Sequence, residues 1–156
     1  SDERLLAFLR SAGYRVAFCL HPDIAQQKSS FCTNDVVSVL DSFDYAEILS
    51  KSALLVTDYS SIACDFALLK RPVLYNHFDA DEYFTLHGRR LGHFSYEKNG
   101  FGKICFSKDE LVDAICDQIA QGCIMEKQYQ DRVDDFGFMQ PGVCCETVVK
   151  TIELSE

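Results

Sequence analysis

The sequence has 156 residues, 47% of them hydrophobic and 25% charged, which are the proportions of one globular domain and exclude a disordered tail, a collagen-like repeat or a coiled coil. Lys and Arg number 15 against 24 Asp and Glu, and the net charge of −9 excludes a general attraction for DNA or RNA phosphates. No apolar run approaches the ~18 residues of a membrane-spanning helix, while roughly 70% of the unfolded surface can be buried at this length.

Hydrophobic periodicity sets out the elements. Residues 3–12 read as a helix with Leu5, Leu6, Phe8 and Leu9 on one side and Gly13 as its stop. Arg15–Leu20 reads as a strand, 23–30 as a short polar turn of helix, and Val36–Leu40 as a second strand. Residues 43–51 form a short helix with Tyr45, Ile48 and Leu49 inward. Ala53–Val56 is a third strand, apolar throughout, as expected when both faces are covered. Tyr59–Leu69 is helical, with Ile62, Phe66 and Leu69 on one face, and Pro72–Tyr75 is a fourth strand. A long loop rich in aromatic and charged residues runs from Asn76 to Gly102, too long for a plain connection. Lys103–Phe106 is a fifth strand. Ser107 and Glu110 make a capping box for a helix that buries Leu111, Val112, Ile115, Cys116 and Ile119. A polar helix covers 126–135, Pro141-Gly142 breaks the chain, and a last helix carries Val148 and Ile152.

Strands alternating with helices give the fold class: α/β, Rossmann-like, a mainly parallel sheet with helices on both faces. Residues 1–156 are expected to form a single domain. The eight cysteines include no C-x-x-C pair and match no zinc spacing, so they read as free, mostly buried thiols of a reducing compartment. The chain opens at Ser1 without Met, directly in a helix-like segment, and is expected to be a piece of a longer one.

In open α/β sheets ligands bind beyond the carboxyl ends of the strands. There the third strand gives way to Thr57-Asp58-Tyr59-Ser60-Ser61. Free N–H groups and hydroxyls at that turn would cradle a phosphate without lysine; alternatively, Asp58 or Ser60 only caps the helix. His21, between the first strand and Pro22, either donates to a phosphate and protonates a leaving group or merely bonds a neighbouring loop. His77, His87 and His93 share the long loop with Asp79, Asp81 and Glu82, but their irregular spacing does not favour a metal, and none is expected. One of Asp79 and Asp81 could accept from ribose hydroxyls. Arg89-Arg90 is either a bidentate phosphate ligand or a solvated pair. Asp58 and Asp65 lie near one helix face; an acid–base pair is possible, though a bond from Asp65 to backbone or Arg is the plainer expectation.

The string Ala53–Tyr75, ALLVTDYSSIACDFALLKRPVLY, resembles the signature region of the CDP-glycerol glycerophosphotransferase family, the bacterial teichoic acid and capsule polymerases and primases. Phe78–Tyr83, Gly92–Gly102 and Leu20-His21-Pro22 resemble it as well. The resemblance covers residues 15–120; the last 30 or so match only as a generic helical end. It implies the C-terminal, nucleotide-binding half of a GT-B architecture, acting at the cytoplasmic face of the cell membrane. It also implies CDP-glycerol or a related CDP-alditol as donor, a polymer as acceptor and no cofactor, with CMP released by attack on the β-phosphate. By position, His21 would contact the diphosphate and assist CMP departure. Thr57, Ser60 and Ser61 would hold phosphate, Asp58 would orient the turn, and Asp81 and Glu82 would make ribose or loop-ordering contacts. The sequence departs from the family in lacking Trp and the P-T-W-R-like opening strand. The second family histidine, the base, belongs to an N-terminal domain expected outside this chain, as does any peripheral membrane contact. A nucleotide-sugar glycosyltransferase of the same architecture and a non-catalytic flavodoxin-like module are the competing readings.

Overall fold

A computed structural model describes residues 2–86, 94–138 and 142–154. Helix α1 (Glu3–Ala12) starts at Asp2, whose carboxylate accepts from the Leu5 N–H, and ends at Gly13 in the left-handed conformation (φ 75°). Strand β1 (Val16–Cys19) leads into a 3-10 helix (Pro22–Ser30), nine residues long and not one turn. Strand β2 (Val37–Leu40), helix α2 (Tyr45–Lys51), strand β3 (Leu55–Thr57), helix α3 (Ile62–Ala67) and strand β4 (Val73–Asn76) follow. The segment read as a loop contains two helices, α4 (Ala80–Leu86) and α5 (Tyr96–Asn99). Strand β5 (Gly102–Cys105), helix α6 (Lys108–Ala120), helix α7 (Lys127–Asp135) and helix α8 (Cys144–Glu153) complete the described chain.

The alternation of strand and helix is as expected, and every strand pairing is parallel. The single sheet is not. Among the described residues β1 and β2 form one sheet and β3-β4-β5 another, with β4 central. Val73, Leu74 and Tyr75 on β4 are all buried, as a strand covered on both faces requires. Val73 and Tyr75 face a cluster built from Phe66 and Ala67 of α3, Phe101, Met125 and Val133. Leu74 faces the other way, onto Cys105 and Ala114 of α6. Helices therefore cover both faces of this sheet.

Helix α6 joins the two halves. Its Ile119 packs with Leu6 and Leu9 of α1 and with Val36 at the foot of β2. Its Ile115 touches both that cluster and the one around Leu74. The capping box holds with one change: Ser107 Oγ accepts from the Glu110 N–H, but the Glu110 carboxylate accepts from the Phe106 N–H, one residue before the cap.

Several inward assignments fail. Val56 of β3 is 41% exposed, because β3 is a sheet edge and its apolar run is not covered on both faces. Tyr45 is half-exposed, its ring edge-on to Phe43 and not in the core. Leu69 lies past the end of α3 and is exposed. No disulfide joins any of the eight cysteines, yet only Cys105 is buried, and Cys32, Cys144 and Cys145 are exposed.

Candidate functional site

The site is built where β3, β4 and β5 end. Strand β3 stops at Thr57, and the chain turns through Asp58–Ser61 before α3 begins. At six residues, α3 is shorter than the predicted helix, so little macrodipole stands behind the turn. Ser61 occupies the cap position without a side-chain bond. Ser60 Oγ accepts from the Ile62 N–H over 3.4 Å, a long and weak cap. The N–H groups of Ser60 and Ser61 bond to no described residue. Asp58, Ser60 and Ser61 are exposed and Thr57 is half-buried. The cap reading holds, weakly, at Ser60, beside two backbone amides that bond to no described residue.

The segment after β4 closes one side of this turn. His77 is 4% exposed, and its Nε2 lies 3.4 Å from the Asp58 carbonyl oxygen. Burial pushes the imidazole below its ordinary value, against the smaller opposing effects of the Asp58 carbonyl and the Asp58 and Asp79 charges. The Asp58 carbonyl can only accept, so in this contact Nε2 is the donor. The Tyr59 ring stacks on His77 at 4.2 Å and on Tyr83 of α4 at 3.6 Å. Its hydroxyl donates to Asp79 Oδ1 over 3.1 Å, and burial together with that carboxylate raises the phenol. Tyr96 of α5 meets His77 and Tyr75 edge-on. Sequence reasoning missed this group. Its one visible trace is the alternation of Tyr75, His77 and Asp79, which puts the three on one side of an extended chain.

A cavity of about 430 Å³ opens beside it, lined by His77, Phe78, Asp79, Asp81, Glu82 and Phe106. Asp81 and Glu82 stand in the first turn of α4 and are exposed. Phe78 and Phe106, at the carboxyl ends of β4 and β5, are 70% and 56% exposed. The cavity therefore offers two aromatic faces and carboxylate acceptors beyond the strand ends, where α/β sheets bind ligands.

The other candidates lie apart. His21 follows β1, in the other sheet, and among the described residues its ring bonds only to Asp23. Among the described residues no hydrogen bond or ion pair joins it to Thr57–Ser61. Asp65 is exposed and has no hydrogen bond or ion pair to a described residue, so the expected bond to backbone or Arg is not found, nor is a pair with Asp58. His87, His93 and Arg89-Arg90 lie outside the described residues, as does the start of the Gly92–Gly102 motif.

Residues 1–154 match the family described as CDP-Glycerol:Poly(glycerophosphate) glycerophosphotransferase. The chain belongs to this family. Among its relatives, the minor teichoic acid biosynthesis protein GgaB of Bacillus subtilis is 35% identical over 87% of the chain. The teichoic acid ribitol-phosphate polymerase TarL of Staphylococcus aureus is 31% identical over 77% of it. The chain spans only 15% of GgaB and 21% of TarL. The solved wall teichoic acid polymerase TagF shares the fold, with a TM-score of 0.71 over 99% of this chain and 37% of its own, at 22% identity. No helix of the described residues is long and apolar enough to cross a membrane.

Proposed function

We propose that this chain is the nucleotide-binding half of a GT-B glycerophosphotransferase that takes CDP-glycerol or a related CDP-alditol. The acceptor polymer's terminal hydroxyl attacks the β-phosphorus, a new P–O bond forms, and the bond from the β-phosphorus to the bridging oxygen breaks. CMP leaves with that oxygen and its electron pair. The hydroxyl proton goes to a base on an N-terminal domain outside this chain. Thr57, Ser60 and Ser61 hold phosphate oxygens, with Asp58 orienting the turn. Asp81 and Glu82 accept from the ribose hydroxyls. His21 comes to the diphosphate from the β1 end and donates to the departing CMP; Asp23 occupies only its Nδ1 side, so Nε2 is the donor.

One observation carries the reading: in a chain matched to this family almost end to end, the open amides and hydroxyls of Ser60 and Ser61 sit beyond a parallel strand. It also explains how a chain of net charge −9 handles an anion, through local dipoles and not the overall field. The reaction belongs to the cytoplasmic face of the membrane, reached through regions outside this chain.

Isothermal titration of the folded chain with CDP tests it. Binding is expected, and a ligand at 100 times its dissociation constant should add about 2.7 kcal/mol of stability, roughly 5–10 °C in Tm. No binding at millimolar CDP overturns the assignment. Stabilisation by UDP-sugars in preference to CDP-glycerol and CDP-ribitol would favour the nucleotide-sugar glycosyltransferase.

A further inference from the structure

We propose that His77, Tyr59 and Asp79 form a latch that fixes the Thr57–Ser61 turn, which makes His77 a positioning residue for the phosphate this turn receives. The proposal rests on the nucleotide-binding reading above, but the latch is visible in the protein alone.

The turn has little of its own to hold it. It is exposed, it precedes a helix of only six residues, and its side-chain cap is the 3.4 Å contact to Ser60. What fixes it comes from elsewhere in the chain. The His77 backbone is anchored on both sides: its N–H donates to the Cys105 carbonyl over 2.8 Å, and its carbonyl accepts from the Ala80 N–H over 3.2 Å. From that anchored position Nε2–H reaches the Asp58 carbonyl. This contact, as long as the Ser60 cap, restrains the plane of the Asp58–Tyr59 peptide and adds to the hold on the Tyr59 side chain. The Tyr59 side chain is gripped from three directions: the His77 face, the Tyr83 face, and Asp79 at its hydroxyl. Backbone and side chain of the turn are thus tied to β4 and α4 at separate points. None of the tying groups is a phosphate ligand in the proposed site. They act through Asp58 and Tyr59.

Preorganised donors bind an anion better than donors that must first be ordered. The latch therefore has a ligand-linked consequence that simple packing does not. Two variants separate its components. His77→Phe keeps a ring for Tyr59 to stack on and removes the donor. His77→Gln places an amide donor near the position of Nε2.

The experiment measures CDP affinity by titration and amide exchange of Ile62, Ala63 and Cys64, whose N–H groups bond to Ser60 and Ser61. It uses the full 156-residue chain. His77→Phe should weaken CDP about tenfold, the weight of one lost hydrogen bond, and speed exchange in the turn while β4 and β5 stay protected. His77→Gln should stay within about threefold of the parent in affinity, because it restores the donor. Parent-like affinity and exchange in a folded His77→Phe chain overturn the latch. So does an equal loss in both variants, which would mean that ring packing alone matters. Should His77→Phe fail to fold, Tyr59→Phe removes the bond to Asp79 and keeps the ring. Faster turn exchange in Tyr59→Phe supports the latch and unchanged exchange overturns it. If the parent binds no CDP, the nucleotide reading falls, and the exchange rates still decide the latch.

Discussion

At the residue scale, one position is held by the absence of a side chain. Gly102 pairs with Val73 across the β4–β5 ladder, and a Cβ there would lie 1.7 Å from the Val73 carbonyl oxygen. The obstacle is backbone of the central strand and cannot swing aside. Gly102→Ala should destabilise by about 3 kcal/mol and lower Tm by roughly 6–12 °C, measured by thermal denaturation. A second residue-scale consequence concerns pH. His77 titrates below its ordinary value of 6.5 in the folded protein because it is buried. As pH falls through about 6.5 the unfolded chain takes up this proton first, so stability drops until folded His77 is protonated as well. Between about pH 7.5 and 5 the parent should lose more Tm than His77→Gln, which has no such proton to bind. Equal losses would show that His77 is not the titrating group. The Thr57–Ser61 turn was legible in the sequence because turn chemistry is local: hydroxyls after an apolar strand suffice. The Tyr59–His77–Tyr83–Asp79 group was not. Tyr59 is distant along the chain from His77, Asp79 and Tyr83, and it meets them only because β3 and β4 are neighbours.

At the scale of elements, α2 shows an end that its own sequence does not finish. Its start is local, with the Asp44 carboxylate accepting from the Ala46 and Glu47 N–H groups. Its last carbonyls are taken by a distant side chain. Arg71 Nη1 donates to the carbonyls of Leu49, Ser50 and Ser52 at 3.4, 2.8 and 2.6 Å. A cation at a helix C-terminus is favoured by the dipole as well as by these bonds. Arg71→Met keeps much of the apolar stem and removes the donor, and should cost about 2 kcal/mol by chemical denaturation. Arg71→Lys should restore only part of it, since an ammonium lacks the planar fork. Element type was largely legible and element length less so. The buried strand β4 announces itself as a continuous apolar run. Helices α4 and α5 hide in a segment of aromatic and charged residues, where short helices leave too few turns for a period to show. The reach of α3 was overread because Leu68 and Leu69 continue the apolar pattern while standing exposed.

At the scale of the molecule, the two sheets are expected to fold as one unit through what lies between them. Helix α6 supplies that link, with Ile115 and Ile119 on the α1 side and Ala114 on the β4 side. Leu9→Ala in α1 and Leu74→Ala in β4 each empty a site that is 3% or less exposed, and each should cost about 2–5 kcal/mol. Both should shift one common transition, seen at the same midpoint by far-UV circular dichroism and by tyrosine fluorescence. Two separated transitions in either variant would show that the halves melt independently. The α/β class follows from alternation alone, but the split into two sheets does not. Which strands exchange hydrogen bonds depends on pairings between distant segments, and periodicity within a strand carries no record of its neighbour.

The thiols give the molecule a stopwatch. Cys32, Cys144 and Cys145 are at the surface, whereas Cys105 is fully covered at the β4–α6 contact, and burial pushes its thiol up, away from the reactive thiolate. An alkylating pulse therefore marks the outer sulfurs in the native state and reaches Cys105 only when the β4–β5 sheet and α6 separate. The mass added to one native cysteine then records how often this sheet opens, with no dye or introduced residue.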